Sequence, residues 1–95
     1  MLEKHIVQKM SELIRERGGL FYKFNSTNHP GVPDRIVINR TGTVWFVEIK
    51  SENGELSLIQ VFRIRELKAH GAKVRVVYGW DSAKAFIDEV LPDEL

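Results

Sequence analysis

The segment Thr43–Lys50 constrains the fold more than any other. It is the most strongly apolar strand candidate in the chain, running from Val44 to Ile49, yet Glu48 and Lys50 stand at its end. Side chains alternate between the faces of a strand, so Glu48 and Lys50 share one face and Ile49 points to the other. An unpaired carboxylate or ammonium is expensive to bury. The sheet that takes this strand must compensate both charges by mutual pairing, by solvent at the strand end, or by a bound cation.

The neighbouring segments supply that sheet. Within positions 2–17, Leu2, Ile6, Met10, Leu13 and Ile14 recur at helical spacing, and Gly18-Gly19 stops the helix. Leu20–Asn25 predicts a strand, followed by a loop rich in Asn, Ser, His, Pro and Gly that reaches Gly31. Asp34–Asn39 predicts a short strand, joined to Thr43–Lys50 as a hairpin through a turn at Thr41-Gly42. Ser51–Leu56 reads as a loop. Ser57 with Gln60 forms a capping-box pattern for a helix that stops near Gly71, and Lys73–Tyr78 predicts another strand. Asp81 or Ser82 is the expected cap of a last helix with Ala85, Phe86, Val90 and Leu91 on its apolar side. The expected fold is α/β, with one α-β-β-β-α-β core, a mixed sheet, a parallel crossover through the middle helix and an additional C-terminal helix.

Ninety-five residues, 43% of them apolar, make one globular domain spanning 1–95. The absence of cysteine excludes disulfides, thiolate metal sites and cysteine nucleophiles, and suits a reducing cytoplasm. Glu3 and Lys4 have no apolar run behind them, which argues against a signal peptide, and no uncharged stretch approaches the roughly 20 residues of a membrane helix. The net charge of +1 hides an uneven distribution: residues 1–80 hold 13 basic against 8 acidic groups, whereas residues 81–95 hold one against five. Most of the chain is therefore suited to face a polyanion, and the acidic end to lie at the back of an assembly or against a partner's basic residues.

Chemistry concentrates around Glu48. Pro33 in Gly31-Val32-Pro33-Asp34 restricts the backbone entering the strand and so directs Asp34. Pairing of that strand with Thr43–Lys50 brings both carboxylates toward one end of the sheet. Two hard oxygen ligands, the Ile49 carbonyl and waters make a reasonable Mg²⁺ or Mn²⁺ site. Lys50, on the Glu48 side, is placed to orient or deprotonate an attacking water or to neutralise charge growing on a phosphate. The same residues also suit charged strand edges kept for solubility.

The set Gly31-Val32-Pro33-Asp34, Glu48-Ile49-Lys50 and Leu56-Ser57-x-x-Gln60 resembles the VRR-NUC branch (virus-type replication-repair nuclease) of the PD-(D/E)xK nuclease superfamily, from Glu3 to about Tyr78. A lone E-x-K is common; the flanking motifs make the combination specific. The resemblance implies a restriction-endonuclease-like fold and a metal-dependent endonuclease of branched DNA, such as flaps or Holliday junctions. It implies that Asp34, Glu48, the Ile49 carbonyl and Glu3 hold the metal, that Lys50 is the catalytic lysine, and that Gln60 faces the catalytic centre. Small family members are phage-type and similar to dimeric resolvases, which implies a homodimer and, for a phage protein, the host cytoplasm.

Other residues carry weaker signals. His5, His29 and His70 lack paired ligand spacing for zinc, and His29 lies in the loop leading to Asp34. Trp45 reads as a core or interface ring and Trp80 as a hydrophobic staple. Arg35, Arg40, Arg63, Arg65, Lys68, Lys73 and Arg75 are available for phosphate but follow no single helix face. No glycine-rich nucleotide loop is present, so no nucleotide cofactor is expected. The alternative to an enzyme is a non-catalytic nucleic-acid-binding or assembly module on the same scaffold. In a homodimer, the aliphatic and aromatic surplus of the first helix, Lys73–Tyr78 and the last helix is the expected glue.

Overall fold

Ile6, Met10 and Ile14 recur every four residues and are fully buried, which fixes the inner face of the first helix. In the computed structural model, which describes residues 1–94, that helix is α1 (Glu3–Glu16). It is followed by β1 (Leu20–Lys23), β2 (Arg35–Ile38), β3 (Val44–Lys50), α2 (Leu58–Ala69), β4 (Lys73–Tyr78) and α3 (Gly79–Val90). The order is the expected one. The four strands lie in sequence order, with β1, β2 and β3 antiparallel and β3 parallel to β4 across α2.

The register separates the sheet into two unequal faces. Phe21, Val37, Trp45, Val47, Ile49 and Val77 share one face by their pairing and alternation. There they join Ile6, Met10 and Ile14 of α1 and Ala83, Phe86, Ile87 and Val90 of α3 in the core. Trp45 meets Phe86 edge to face at 6.1 Å, so it is a core ring as expected. The opposite face carries Tyr22, Ile36, Phe46 and Val74 in one row and Leu20, Ile38 and Val44 in another. Only α2 covers part of it, burying Ile64 while Leu58, Ile59 and Phe62 stay exposed.

Local hydrogen bonds move several boundaries from their expected places. Asn39 leaves the strand because its Oδ1 accepts from the Thr41 and Thr43 N–H groups, closing the β2–β3 turn. Asp34 lies just before β2 and not inside it. Leu2 is extended and exposed, so α1 opens one residue later than its apolar pattern. The last helix opens at Gly79, before the expected caps. Ser82 sits in its first turns and accepts from the Tyr78 N–H at 3.0 Å. Trp80 is consequently inside the helix and not a staple ahead of it; it packs against the core with the Lys9 ammonium 4.5 Å from its ring.

Two connections position the functional end. Gly18, at φ +79°, accepts the left-handed turn that ends α1, with the Gly19 N–H bonded back to the Ile14 carbonyl at 2.9 Å. The loop between β1 and β2 crosses to α2, where Gly31 has φ +88° and a Cβ added there would lie 2.8 Å from the Ile59 carbonyl oxygen. The Arg63 Nε–H donates to the Pro30 carbonyl at 3.1 Å beside this contact. Gly31→Ala should therefore lower stability by roughly 1–3 kcal/mol, through both strain and displacement. Chemical denaturation measures this, and a loss within a few tenths of that for an exposed helix-surface change would contradict the packing described.

Candidate active site

The site is built where β2 begins and β3 ends. Arg35 pairs with Val47, so extending the antiparallel register by one residue sets Asp34 opposite Glu48 on the α2 face. On the other side Glu48 pairs with Val76, and Lys50 with Tyr78. The Phe24 N–H donates to the Asp34 carbonyl at 2.7 Å, which ties the β1 end to the same row. Pro33 is fully buried just before it. Gly31-Val32-Pro33-Asp34 thus crosses from a tight contact on α2 to the start of β2, with Pro33 just before Asp34.

Glu48 is the only buried charged residue described, at 7% exposure. Burial pushes its carboxyl up to about 7, with the Asp34 carboxylate adding to the rise, Lys50 opposing it, and Glu3 raising it further. The electrostatics therefore bring together Asp34, Glu48, Lys50 and Glu3, four of the residues expected at the site. None of the ion pairs among the described residues includes any of these four. Lys50 offers attraction to Glu48 without contact. The Met1 amino group pairs with Glu52 at 3.2 Å, joining the start of α1, and hence Glu3, to the loop after β3. Nothing local in the sequence marks that contact, which spans 51 positions.

The remaining expected residues take different places. Ile49 turns its side chain into the core, so only its backbone carbonyl is available for a ligand. Gln60 completes the capping box: its Oε1 accepts from the Ser57 N–H at 2.9 Å, while its own N–H donates to Ser57 Oγ at 3.3 Å. The Gln60 side-chain amide N–H groups are left over. No three His, Cys, Asp or Glu side chains among the described residues form a ready cage for an ion. A partnerless buried carboxylate facing a second carboxylate nevertheless fits Mg²⁺ or Mn²⁺, because Mg²⁺ takes one or two carboxylates and keeps several waters.

The expected basic surface divides. Arg75 donates twice to Glu89 at 3.0 and 2.7 Å, Arg40 pairs with Glu94, and Arg17 pairs with Asp88. The acidic end of the chain thus neutralises arginines of its own molecule, which removes the reason for assigning it to a partner's basic residues. Arg63 pairs with Glu66. Arg65 and Lys68 remain exposed on α2 without an acidic partner among the described residues. A cavity of about 270 Å³ opens between α2, β3 and the β1–β2 loop, lined in part by Phe24, His29, Phe46, Arg63, Glu66 and Leu67. The sequence carries no signal for it, because its walls come from three separated segments.

An E-x-K strand end facing an aspartate at the start of the adjoining strand, with a parallel crossover behind, defines a nuclease domain of the restriction-endonuclease-like class. Residues 2–81 match the VRR-NUC domain family, and the chain belongs to that family. It is 36% identical over 80 residues to "Putative nuclease p44" of Acyrthosiphon pisum secondary endosymbiont phage 1, covering 84% of this chain and 82% of that one. A solved structure titled "VRR_NUC domain" superposes with a TM-score of 0.83 at 30% identity, covering 90% of this chain and 94% of that chain. Another, titled "VRR_NUC domain protein", shares the fold with a TM-score of 0.74 at 17% identity, over 98% and 92% of the two chains.

The raised Glu48 carboxyl has a measurable consequence. Between about 4.5 and about 7 the folded chain keeps a proton on Glu48 that the unfolded chain has lost, so this group makes stability fall as pH rises through that window. The full change is roughly 3 kcal/mol. Glu48→Gln should flatten that part of the pH–stability profile in metal-free buffer. Mn²⁺ should raise the Tm of the unaltered protein more at pH 8 than at pH 5. A profile unchanged by Glu48→Gln would refute the assignment of the burial cost to this carboxylate.

Proposed function

We propose that this nuclease domain is a Mg²⁺- or Mn²⁺-dependent endonuclease that hydrolyses phosphodiester bonds in branched DNA, including flaps and Holliday junctions. The observation that carries the reading is the buried, partnerless Glu48, opposite Asp34 and on the same strand face as Lys50. Asp34, Glu48 and the Ile49 carbonyl would hold the ion, with Glu3 assisting from the first turn of α1. A divalent ion there would offset the repulsion among the carboxylates, place positive charge against the phosphate and lower the pKa of water. The Lys50 ammonium donates to a phosphate oxygen or orients the attacking water. The apolar packing of Val47, Ile49 and Val77 behind the strand holds Glu48 in place and excludes water from beneath it. Gln60 caps α2 and turns its free amide N–H groups to substrate. Recognition rests on backbone geometry, with Arg65 and Lys68 supplying phosphate contacts on the α2 side.

The test is incubation of the protein with labelled duplex, flap and four-way-junction DNA in Mg²⁺, Mn²⁺ or EDTA. Cleavage should require the metal and favour the branched substrates. Lys50→Ala should reduce it at least about a hundredfold with Mn²⁺ affinity largely retained. Asp34→Ala should weaken both cleavage and metal binding. Cutting that persists in EDTA, or unchanged Mn²⁺ affinity by calorimetry in Asp34→Ala, would sink the ligand assignment.

We further propose that the active species is a homodimer, since opposite strands of a junction call for two centres related by a two-fold axis. The expected glue in α1, β4 and α3 is not available for this. Ile6, Met10, Ile14, Val77, Phe86 and Ile87 are consumed by the core of one copy. The support comes instead from Leu20, Tyr22 and Val44, exposed at 47%, 53% and 40% on the part of the sheet face that α2 leaves uncovered. Sedimentation equilibrium should give a dimer that Tyr22→Glu converts to a monomer. A monomer mass with and without junction DNA, alongside normal junction cleavage, would defeat the proposal.

A further inference from the structure

The cavity between α2, β3 and the β1–β2 loop has no role in the chemistry at Glu48, yet it adjoins it. Phe46 precedes Glu48 by two residues and shares its strand face, roughly 7 Å along the strand. Phe24 stands next to Asp34 across the end of β1 and β2. The cavity therefore begins within one nucleotide's reach of the phosphate that the site would hold. Its volume of about 270 Å³ lies near the lower end of ligand pockets, at roughly 300 Å³.

Its walls select a particular chemistry. Phe24 and Phe46 meet edge to face at 5.7 Å, leaving apolar ring surface toward the cavity. Arg63 pairs with Glu66 at 3.1 Å, so one side of the opening presents a donor beside an acceptor without net charge. The His29 Nδ1 is held by the Thr27 carbonyl at 3.0 Å, which leaves Nε2 as a further polar atom on the lining. A phosphate there would meet the Glu66 carboxylate. A purely apolar side chain would strand the polar groups of Arg63, Glu66 and His29. A nucleobase satisfies both walls, with flat apolar faces for the phenylalanines and a donor–acceptor edge for the pair.

We propose that this cavity receives one unstacked nucleobase, from the nucleotide next to the phosphodiester that is cut. The proposal rests on the nuclease reading and narrows its substrate class. A base inside continuous duplex must be unpaired and unstacked to enter, whereas a base in a single-stranded flap is already free of the unpairing cost. The cavity therefore selects DNA with an unpaired nucleotide beside the cut, while Arg65 and Lys68, exposed on the same helix, take the adjoining phosphates.

The test uses flap DNA in which a single abasic site is walked across the nucleotides around the branch. Binding is read by fluorescence anisotropy with Ca²⁺ in place of Mg²⁺. For the unaltered protein one position should be sensitive, with base removal weakening binding about tenfold, the scale of one stacked base. Leu67→Trp, which fills the cavity, should bind intact DNA as the unaltered protein binds the abasic DNA, and should give a flat profile. Glu66→Gln alters an exposed side chain; it frees the Arg63 charge and so raises affinity for all the DNAs, and it should in addition change which base is preferred at the sensitive position, read as the ratio of intact to abasic affinity. A flat profile in the unaltered protein overturns the proposal, as does a sensitive position that persists in Leu67→Trp. A Leu67→Trp protein whose oligomeric mass changes while the profile of the unaltered protein is flat assigns the cavity to a protein contact and also overturns it. Metal-dependent cleavage with a flat profile removes the pocket alone. One sensitive position without cleavage under any metal removes the nuclease reading alone, and no DNA binding removes both.

Discussion

A carboxylate on a nearly buried residue, with no ion-pair partner among the described residues, is the constraint on which the functional end of this molecule depends. Glu48 lies at 7% exposure beside Asp34, and the cost of ionising it there is roughly 3 kcal/mol. Fully burying one large aliphatic or aromatic side chain contributes about 1.5–3 kcal/mol. One or two core residues are enough to hold Glu48 in place, and Val47, Ile49 and Val77 flank it with side chains almost wholly buried. The strand that carries the charge therefore also carries the apolar residues that sustain it. This is why Val44–Lys50 reads as a core strand almost to its last residue.

The same economy explains why the two faces of the sheet differ. α1 and α3 seal one face with Ile6, Met10, Ile14, Phe86 and Ile87, each at most 2% exposed. The other face has a single helix and a loop crossing to it through Gly31. An open face is a poor contributor to stability, but it is the face on which, in the proposed function, Asp34, Glu48, Lys50 and the Phe46 wall of the cavity meet a substrate. Two helices on that side would add core and close the site.

The fold was legible in the sequence wherever a period or a cap operated over a short range. The four-residue recurrence of Ile6, Met10 and Ile14, the Ser57–Gln60 capping box and the alternation in Val44–Lys50 each have a local cause, and each lies where expected. Asp34, Glu48 and Lys50 were legible as a set because a hairpin joins their strands. The misplaced features depend on contacts that no local pattern encodes. Trp80 entered α3 because the helix opens at Gly79, and the apolar residues assigned to a partner were needed by a core built from helices far apart in the chain. The cavity walls, drawn from positions 24 to 67, come from segments brought together only by the crossover.

The acidic end of the chain is taken up largely within the molecule. The acids gathered at the end of the chain face arginines at the end of α1, on β4 and in the β2–β3 turn: Asp88 meets Arg17, Glu89 meets Arg75 and Glu94 meets Arg40. Such exposed pairs contribute little to stability, typically below about 1 kcal/mol each. They leave Arg65 and Lys68 on α2 without acidic partners among the described residues, and likewise Lys4, Lys9 and Arg15 on α1 and Lys73 on β4. The unpaired cations are thus spread over both sides of a molecule of net charge +1, and under the proposed reading the choice of face falls to the arrangement at Glu48 and not to the field of the whole chain.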